Sequence, residues 1–358
     1  MNHTLVGKMT ARAAAMRYRH PGRDLRIIAV AGAYGKTTTS LLLGGILQEA
    51  KVPVVTMTSQ GCYFNGQPLP LRYDGGAQSL QHALAKAKQK KADVVIVELS
   101  ERLLESHVLA TVPIEMAIVT SDDPTAQALL RQPANYAVLP SGFEVDGLSV
   151  APHQAISFGT DDLAEAKIAT TRLLRGGTEI ELVIDHQTKL ELATYLVGKA
   201  NVMNIAAAVA GAYVLAADIE TFQEGIAKLE KVRGNFEKVA ADRPYVIYSD
   251  HAVHATSVEL ALASAHELAK RRLLVALDGS VELGSFETVK SLSDRLVLVG
   301  EEREERGVES VATAGEALEV IFRAAKKDDF VLLLGAEFTK TDDSGQSLVE
   351  RMIEGTGE

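Results

Sequence analysis

Short, unbroken apolar runs alternate with longer amphipathic stretches along most of the chain. Residues 4–18 predict a lead-in helix, ended near His20-Pro21-Gly22. The run Leu25-Arg26-Ile27-Ile28-Ala29-Val30-Ala31 is strand-length and bounded by glycine, as a strand buried on both faces would be. A helix is expected over 37–50, a strand over 52–57, a helix over 78–91 and another buried strand over 93–99. Strand patterns recur at 115–120 and 136–139. Strands that alternate with helices imply βαβ units and a parallel sheet.

The texture changes between 155 and 197. Period-two segments at 167–173 and 179–184 flank Gly176-Gly177, which predicts an antiparallel hairpin region. Helices resume at 202–217 and 219–229. A second α/β series then starts near 243, with strands at 245–249, 272–277, 295–299 and 330–334 and helices at 257–270, 314–325 and 347–354. The polar stretch Val232-Arg233-Gly234-Asn235 separates the two series. The mixed charge run 301–306 reads as a solvated face or loop. The expected fold is α/β: a central phosphate-loop domain with a parallel sheet, then a C-terminal Rossmann-like α/β domain. The corresponding division is 1–24 lead-in helix, 25–235 central domain and 236–358 C-terminal domain.

Composition narrows this little. With 358 residues, 47% hydrophobic and 23% charged, the chain has ample core material for two domains. A formal net charge of −10 disfavours a general nucleic-acid binder. The single cysteine, Cys62, rules out an intrachain disulfide framework and a multi-cysteine zinc site, and fits a reducing, cytoplasmic setting. No apolar run reaches the length of a membrane span, and no signal peptide is expected.

The chemistry concentrates at Gly32-Ala33-Tyr34-Gly35-Lys36-Thr37-Thr38. A strand that runs through a glycine loop into a helix aims several backbone N–H groups, and the positive helix end, at one point. Lys36 can reach β- and γ-phosphate oxygens, and the Thr37 hydroxyl can ligate Mg²⁺. Val30 stands where the longest form of such a loop has its first glycine, so this is a shorter variant. The competing reading is a glycine turn beside a surface lysine; the strand-to-helix setting favours ATP. Glu98 falls at the C-terminal end of a buried strand, where open α/β sheets place ligand-contacting groups, and is a second candidate for the cation.

These residues together resemble the Mur ligase family, which builds the peptide stem of peptidoglycan. The loop 32–38 is similar to that family's G-T-x-G-K-T-T, and Val97-Glu98-Leu99-Ser100-Glu101 to its E-V-S-S strand end. Asn201-Val202-Met203-Asn204-Ile205-Ala206-Ala207-Ala208 resembles its N-V-x-N-x-x-A-A helix start, and Asp250-His251-Ala252-Val253-His254 its D-Y-A-H region. The order agrees from about residue 25 to about 270. The chain looks most like the branch that adds the third residue of the stem, in a short form without the N-terminal UDP-binding domain.

The resemblance implies an ATP-dependent amide ligase. A substrate carboxylate takes the γ-phosphoryl group to give an acyl phosphate, and an amine then displaces phosphate. The implied catalytic residues are Lys36 and Glu98. Nucleotide-binding residues would be Gly32, Ala33, Tyr34, Gly35, Lys36, Thr37, Thr38, Asn201 near the adenine and Asp250 near the ribose. The cation would rest on Thr37, Glu98 and Asp123. The implied substrates are a small carboxylate and an amine, with a muropeptide precursor as the candidate acceptor.

The chain departs from the family pattern in its substrate half. Thr120-Ser121-Asp122-Asp123-Pro124 stands in place of D-H-L-D, and no lysine occurs between Lys91 and Lys167 to carry the family's carbamate. Tyr73-Asp74-Gly75-Gly76 replaces T-T-P, and Asn235 replaces the arginine of G-R-M-E. For Asp123 the competing reading is a helix N-cap ahead of Pro124. These departures support an alternative, a weakened ATP-binding relative whose missing substrate elements come from a protein partner. An unrelated phosphate-loop ATPase or kinase is a third reading.

Overall fold

The structure is a computed structural model that describes residues 3–71, 73–144, 149–151, 154–239, 242–300 and 307–355. The charge run 301–306 lies outside the described residues. The chain groups into two compact units: Met1–Thr171, Glu179–Thr194 and Val202–Leu229 form one; Arg172–Thr178, Tyr195–Asn201 and Glu230–Glu358 form the other.

The first unit opens with α1 (His3–Arg17), followed by β1 (Arg26–Ala31), α2 (Lys36–Glu49) and β2 (Val54–Thr58). A hairpin of β3 (Gly61–Phe64) and β4 (Gln67–Leu69) precedes α3 (Ala77–Gln89) and β5 (Val94–Glu98). Then come α4 (Glu101–Glu105), β6 (Ile114–Val119), α5 (Pro124–Leu130) and β7 (Ala134–Pro140). The run β8 (Ala155–Gly159), β9 (Ala166–Leu174), β10 (Gly177–Ile184) and β11 (Thr188–Thr194) leads to α6 (Lys199–Val214) and α7 (Phe222–Ala227).

One sheet of eleven strands takes the order β11-β10-β9-β8-β7-β6-β1-β5-β2-β3-β4. β1 is parallel to both β5 and β6, with Val30 level with Glu98 and with Ile118. The parallel strands read as continuous Val, Ile and Ala because both faces are covered. α2 lies over one face, burying Leu42, Leu43, Ile46 and Leu47. It crosses α7 where Gly45 meets Gly225. A Cβ on Gly225 would lie 2.5 Å from the Ile46 Cα, so side chains there would force the helices apart.

The region after 155 differs from the antiparallel expectation at its start, because β8 pairs parallel with β7 and with β9. Only β9 to β11 turn back. β9 and β10 are joined by two residues, a link short enough only for an antiparallel pair.

The second unit holds β12 (Glu237–Val239), β13 (Val246–Asp250), α8 (Ala255–Leu268), β14 (Leu273–Leu277), α9 (Phe286–Leu292) and β15 (Arg295–Val299). It continues with β16 (Val308–Val311), α10 (Ala314–Ala324), β17 (Phe330–Leu334), α11 (Ala336–Thr339) and α12 (Leu348–Gly355). Its six strands take the order β12-β13-β17-β14-β15-β16, all parallel except β12. This is the Rossmann-like arrangement expected. Its parallel strands end at Asp250, Leu334 and Leu277, so Asp250 and the following Asp278 stand at the carboxyl crest, where such sheets present groups to ligands.

Candidate active site

β1 ends at Ala31, and α2 begins at Lys36 with Gly35 as its N-cap. Gly35 has φ 83° and Gly32 φ 137°, a region that L side chains rarely adopt. No side chain caps α2, so its first-turn N–H groups stay turned toward the loop. A Cβ on Gly32 would collide with Thr120 Oγ1, and one on Gly35 with Asn204 Oδ1. The backbone therefore reaches this concave shape only with glycine at both positions. Lys36 Nζ donates back to Gly32 O at 2.6 Å, which folds the ammonium over the loop.

Thr120 and Ser121, which follow β6, brace the loop from behind. Thr120 Oγ1 lies 3.1 Å from Ala31 O and 2.5 Å from Tyr34 O, and its one proton serves one carbonyl at a time. Ser121 Oγ accepts the Tyr34 N–H at 3.2 Å. In the segment that departs from D-H-L-D, the sequence assigns a role to Asp123 alone and none to Thr120 or Ser121. Its small hydroxyl side chains support the loop shape.

Glu98, at the end of β5, is buried. Its Oε2 accepts from Thr37 Oγ1 at 2.8 Å, from Ser59 N at 3.0 Å and from Ser59 Oγ at 3.4 Å. Thr37 Oγ1 and Ser59 Oγ are 3.2 Å apart. One carboxylate oxygen thus gathers three donors while Oε1 takes part in none of these bonds. Ser59 was not singled out from the sequence. The available signal was its place just past the carboxyl end of β2, beside the strand that carries Glu98.

A hard divalent cation suits this donor set. Mg²⁺ takes oxygen ligands, keeps several waters and binds through one or two carboxylates plus substrate phosphate. Glu98 and Thr37 supply a carboxylate and a hydroxyl side by side beneath the loop. No three His, Cys, Asp or Glu side chains converge as a metal cluster among the described residues, and a site of this type needs none.

The other expected site residues have visible structural work. Asp123 is the N-cap of α5: its carboxylate accepts from Ala126 N at 2.7 Å and from Thr125 Oγ1 at 2.7 Å, with Pro124 at the first helical position. Asn201 is buried in the second unit, and its Nδ2 donates to Val197 O at 2.8 Å. Asp250 accepts the Phe236 N–H at 3.0 Å. Burial pushes its carboxyl up to about 7, against the pull of the Phe236 and Ala252 amides. Asn204, the second asparagine of the same motif, sits against Gly35, a place the sequence reading did not assign.

A strand, a glycine loop and an uncapped helix start, with a buried carboxylate on the adjacent strand, define a phosphate-loop α/β fold. Residues 30–124 match the family model of the Mur ligase middle domain, and the resemblance carried by the sequence motifs is borne out. The chain is 27% identical over 288 residues to UDP-N-acetylmuramoyl-L-alanyl-D-glutamate–2,6-diaminopimelate ligase of Halalkalibacterium halodurans. That match takes in 73% of this chain and 58% of the relative, so the chain spans under two thirds of that relative's length. Among solved structures it resembles MurF ligase from Thermotoga maritima in complex with ADP, with TM-score 0.74, 14% identity, and coverage of 97% of this chain and 85% of that one. It also resembles folylpolyglutamate synthase of Mycobacterium tuberculosis complexed with ADP and AMPPCP, with TM-score 0.71, 13% identity and 92% of each chain covered. At these identities the structural likeness shows a shared fold. No helix among the described residues is long and apolar enough to cross a membrane.

Proposed function

We propose that the chain is an ATP-dependent amide ligase related to peptidoglycan stem-peptide synthesis. The observation that carries this reading is the Thr37–Glu98 hydrogen bond beneath the glycine loop, a hydroxyl and a carboxylate side by side, which supports a cation site for a bound γ-phosphate there. The matched family segment, and the ligase names of similar proteins, support the reaction class. The reading divides the chain into the lead-in helix 1–24, an ATP-binding domain 25–235 and a ligase domain 236–358.

The loop amides from Gly32 to Thr38 would cradle the phosphates, and Lys36 would swing from Gly32 O to the β- and γ-oxygens. Thr37 and Glu98 would hold Mg²⁺, which supplies charge neutralisation to the phosphoryl group in transfer. A substrate carboxylate oxygen forms a bond to the γ-phosphorus as the bond to the ADP oxygen breaks. The amine nitrogen of the second substrate then attacks the acyl carbon, phosphate leaves, and the nitrogen gives up a proton. Asn201 and Asp250 would meet the adenine and ribose, and a muropeptide precursor is the proposed acceptor.

Calorimetric titration with ATP and Mg²⁺, for the wild type and for Lys36→Ala, tests the nucleotide site. A screen for phosphate release with carboxylate and amine pairs follows. Binding that Lys36→Ala weakens by more than about tenfold supports the reading; a wild type that binds no ATP overturns it. Asp123 favours a second reading, an ATP-binding relative that acts with a protein partner, because its carboxylate is committed to capping α5. ATP binding with no turnover across muropeptides and amino acids would establish that alternative.

A further inference from the structure

α1 carries an apolar stripe on the side turned away from the core. Six large apolar side chains are exposed among the described residues, and three of them are on α1: Val6, Met9 and Met16, at 45%, 63% and 69%. Isolated exposed apolar residues are ordinary, but these fall in register. With exposed Ala13 they are spaced by three, four and three residues, which puts all four in one sector of the helix. Ala11, Ala14 and Ala15, on the opposite side, are buried. Cations border the stripe: Lys8 and Arg12 follow it on one flank and Arg17 on the other, all exposed.

The charge extends to the neighbouring helix. Residues 1–23 hold five Lys and Arg and no Asp or Glu; residues 75–92, which include α3, hold four Lys and again no acid. α3 packs on α1, with the Tyr18 and His82 rings 5.7 Å apart, and Lys86, Lys88, Lys90 and Lys91 are exposed at its end. Of these nine cations only Lys88 has an ion-pair partner among the described residues, Asp24. The whole chain stands at −10, so these two helices are basic against an acidic remainder. A helix with an apolar stripe between cations lies in the plane of a membrane interface, the stripe at the boundary of headgroups and acyl chains and the cations on acidic headgroups. Nucleic acid would use the cations and leave the methionines in water. The acidic remainder is repelled by an anionic surface, which turns the basic helices toward it. We propose that α1 and the end of α3 form a docking face for an anionic lipid bilayer, with Val6, Met9 and Met16 entering its surface. This does not depend on the reading of the ATP site.

The chain has no tryptophan, so Met9→Trp and Met16→Trp each place a single reporter on the stripe. The full chain and these variants are mixed with vesicles of phosphatidylglycerol and phosphatidylcholine, and with vesicles of phosphatidylcholine alone, in low and high salt. The expected result is sedimentation with the anionic vesicles only, weakened by salt, with tryptophan emission moved to shorter wavelength. The double variant Arg12→Gln, Arg17→Gln should lower partitioning by more than about tenfold at an unchanged thermal midpoint. No sedimentation with anionic vesicles overturns the proposal. Sedimentation with unshifted emission shows cations held at headgroups without the stripe, as an acidic protein or nucleic acid would hold them, and overturns the bilayer reading. Wild-type partitioning in the double variant puts the contact elsewhere and also overturns it. If the double variant lowers the midpoint, Lys90→Gln with Lys91→Gln on α3 decides: weakened partitioning supports the docking face, and full partitioning removes it.

Discussion

Thr37 Oγ1 donates to Glu98 Oε2 at 2.8 Å, which ties the first turn of α2 to the end of β5 across 61 residues of sequence. The bond is one of three on the same oxygen, so the two residues carry unequal weight. Glu98→Gln is expected to lower the Mg²⁺-dependent part of ATP affinity by at least about tenfold. Thr37→Ala leaves Ser59 on Glu98, and should cost about 1–2 kcal/mol of stability while also reducing the gain from Mg²⁺. Titrations at fixed ATP with varied Mg²⁺, paired with urea midpoints, check both.

Asp123 gives a sharper division between two roles. As the cap of α5 alone, Asp123→Ala should cost about 1 kcal/mol of stability, and Asp123→Ser should recover most of it because a serine hydroxyl also caps. ATP affinity in Mg²⁺ should be unchanged in both variants. A loss of affinity with normal stability in Asp123→Ser would return Asp123 to the metal site.

The crossing of α2 and α7 is set by backbone contact. Gly225→Ala would press its methyl on the Ile46 backbone, which cannot rotate away as a side chain would. The expected loss is about 1–3 kcal/mol, with a further effect on ATP affinity because α2 carries Lys36 and Thr37. Denaturation and ATP titration of the same preparation separate the two.

Asp250 makes stability depend on pH. Its carboxyl ionises at about 7 in the folded chain because of burial, against about 4 when unfolded. Between these values the native state holds a proton that the unfolded state has lost. Stability therefore falls as pH rises through this window and levels off above it. Asp250→Asn removes the contribution, so its urea midpoint should overtake wild type on going from about pH 5 to about pH 8.

The buried strands and the glycine loop were legible because each is a local pattern: an apolar run of strand length, then Gly-x-x-Gly-Lys-Thr at its end. β1, β5, β13 and β17 fall within a residue or two of their expected ends. The β3–β4 hairpin was missed although Asn65-Gly66, with φ 47° and 72°, is a strong two-residue hairpin signal. Its strands are too short to show a period. Ser59, Thr120 and Asn204 were not legible as site residues. Each acts on a loop or carboxylate far away in sequence, through contacts that only the folded sheet creates. The direction of β8 escaped for a related reason: alternation marks a strand and says nothing of its partner's direction.

The terminal strand β4 has three residues, and the middle one is Pro68, exposed and opposite Tyr63. Proline lacks a backbone donor, and a strand this short offers few free carbonyls. The long mixed sheet therefore ends on this side in a poor template for another chain. An expressing cell holding much of this protein gains some protection from edge-to-edge aggregation, built from one turn and one imino acid.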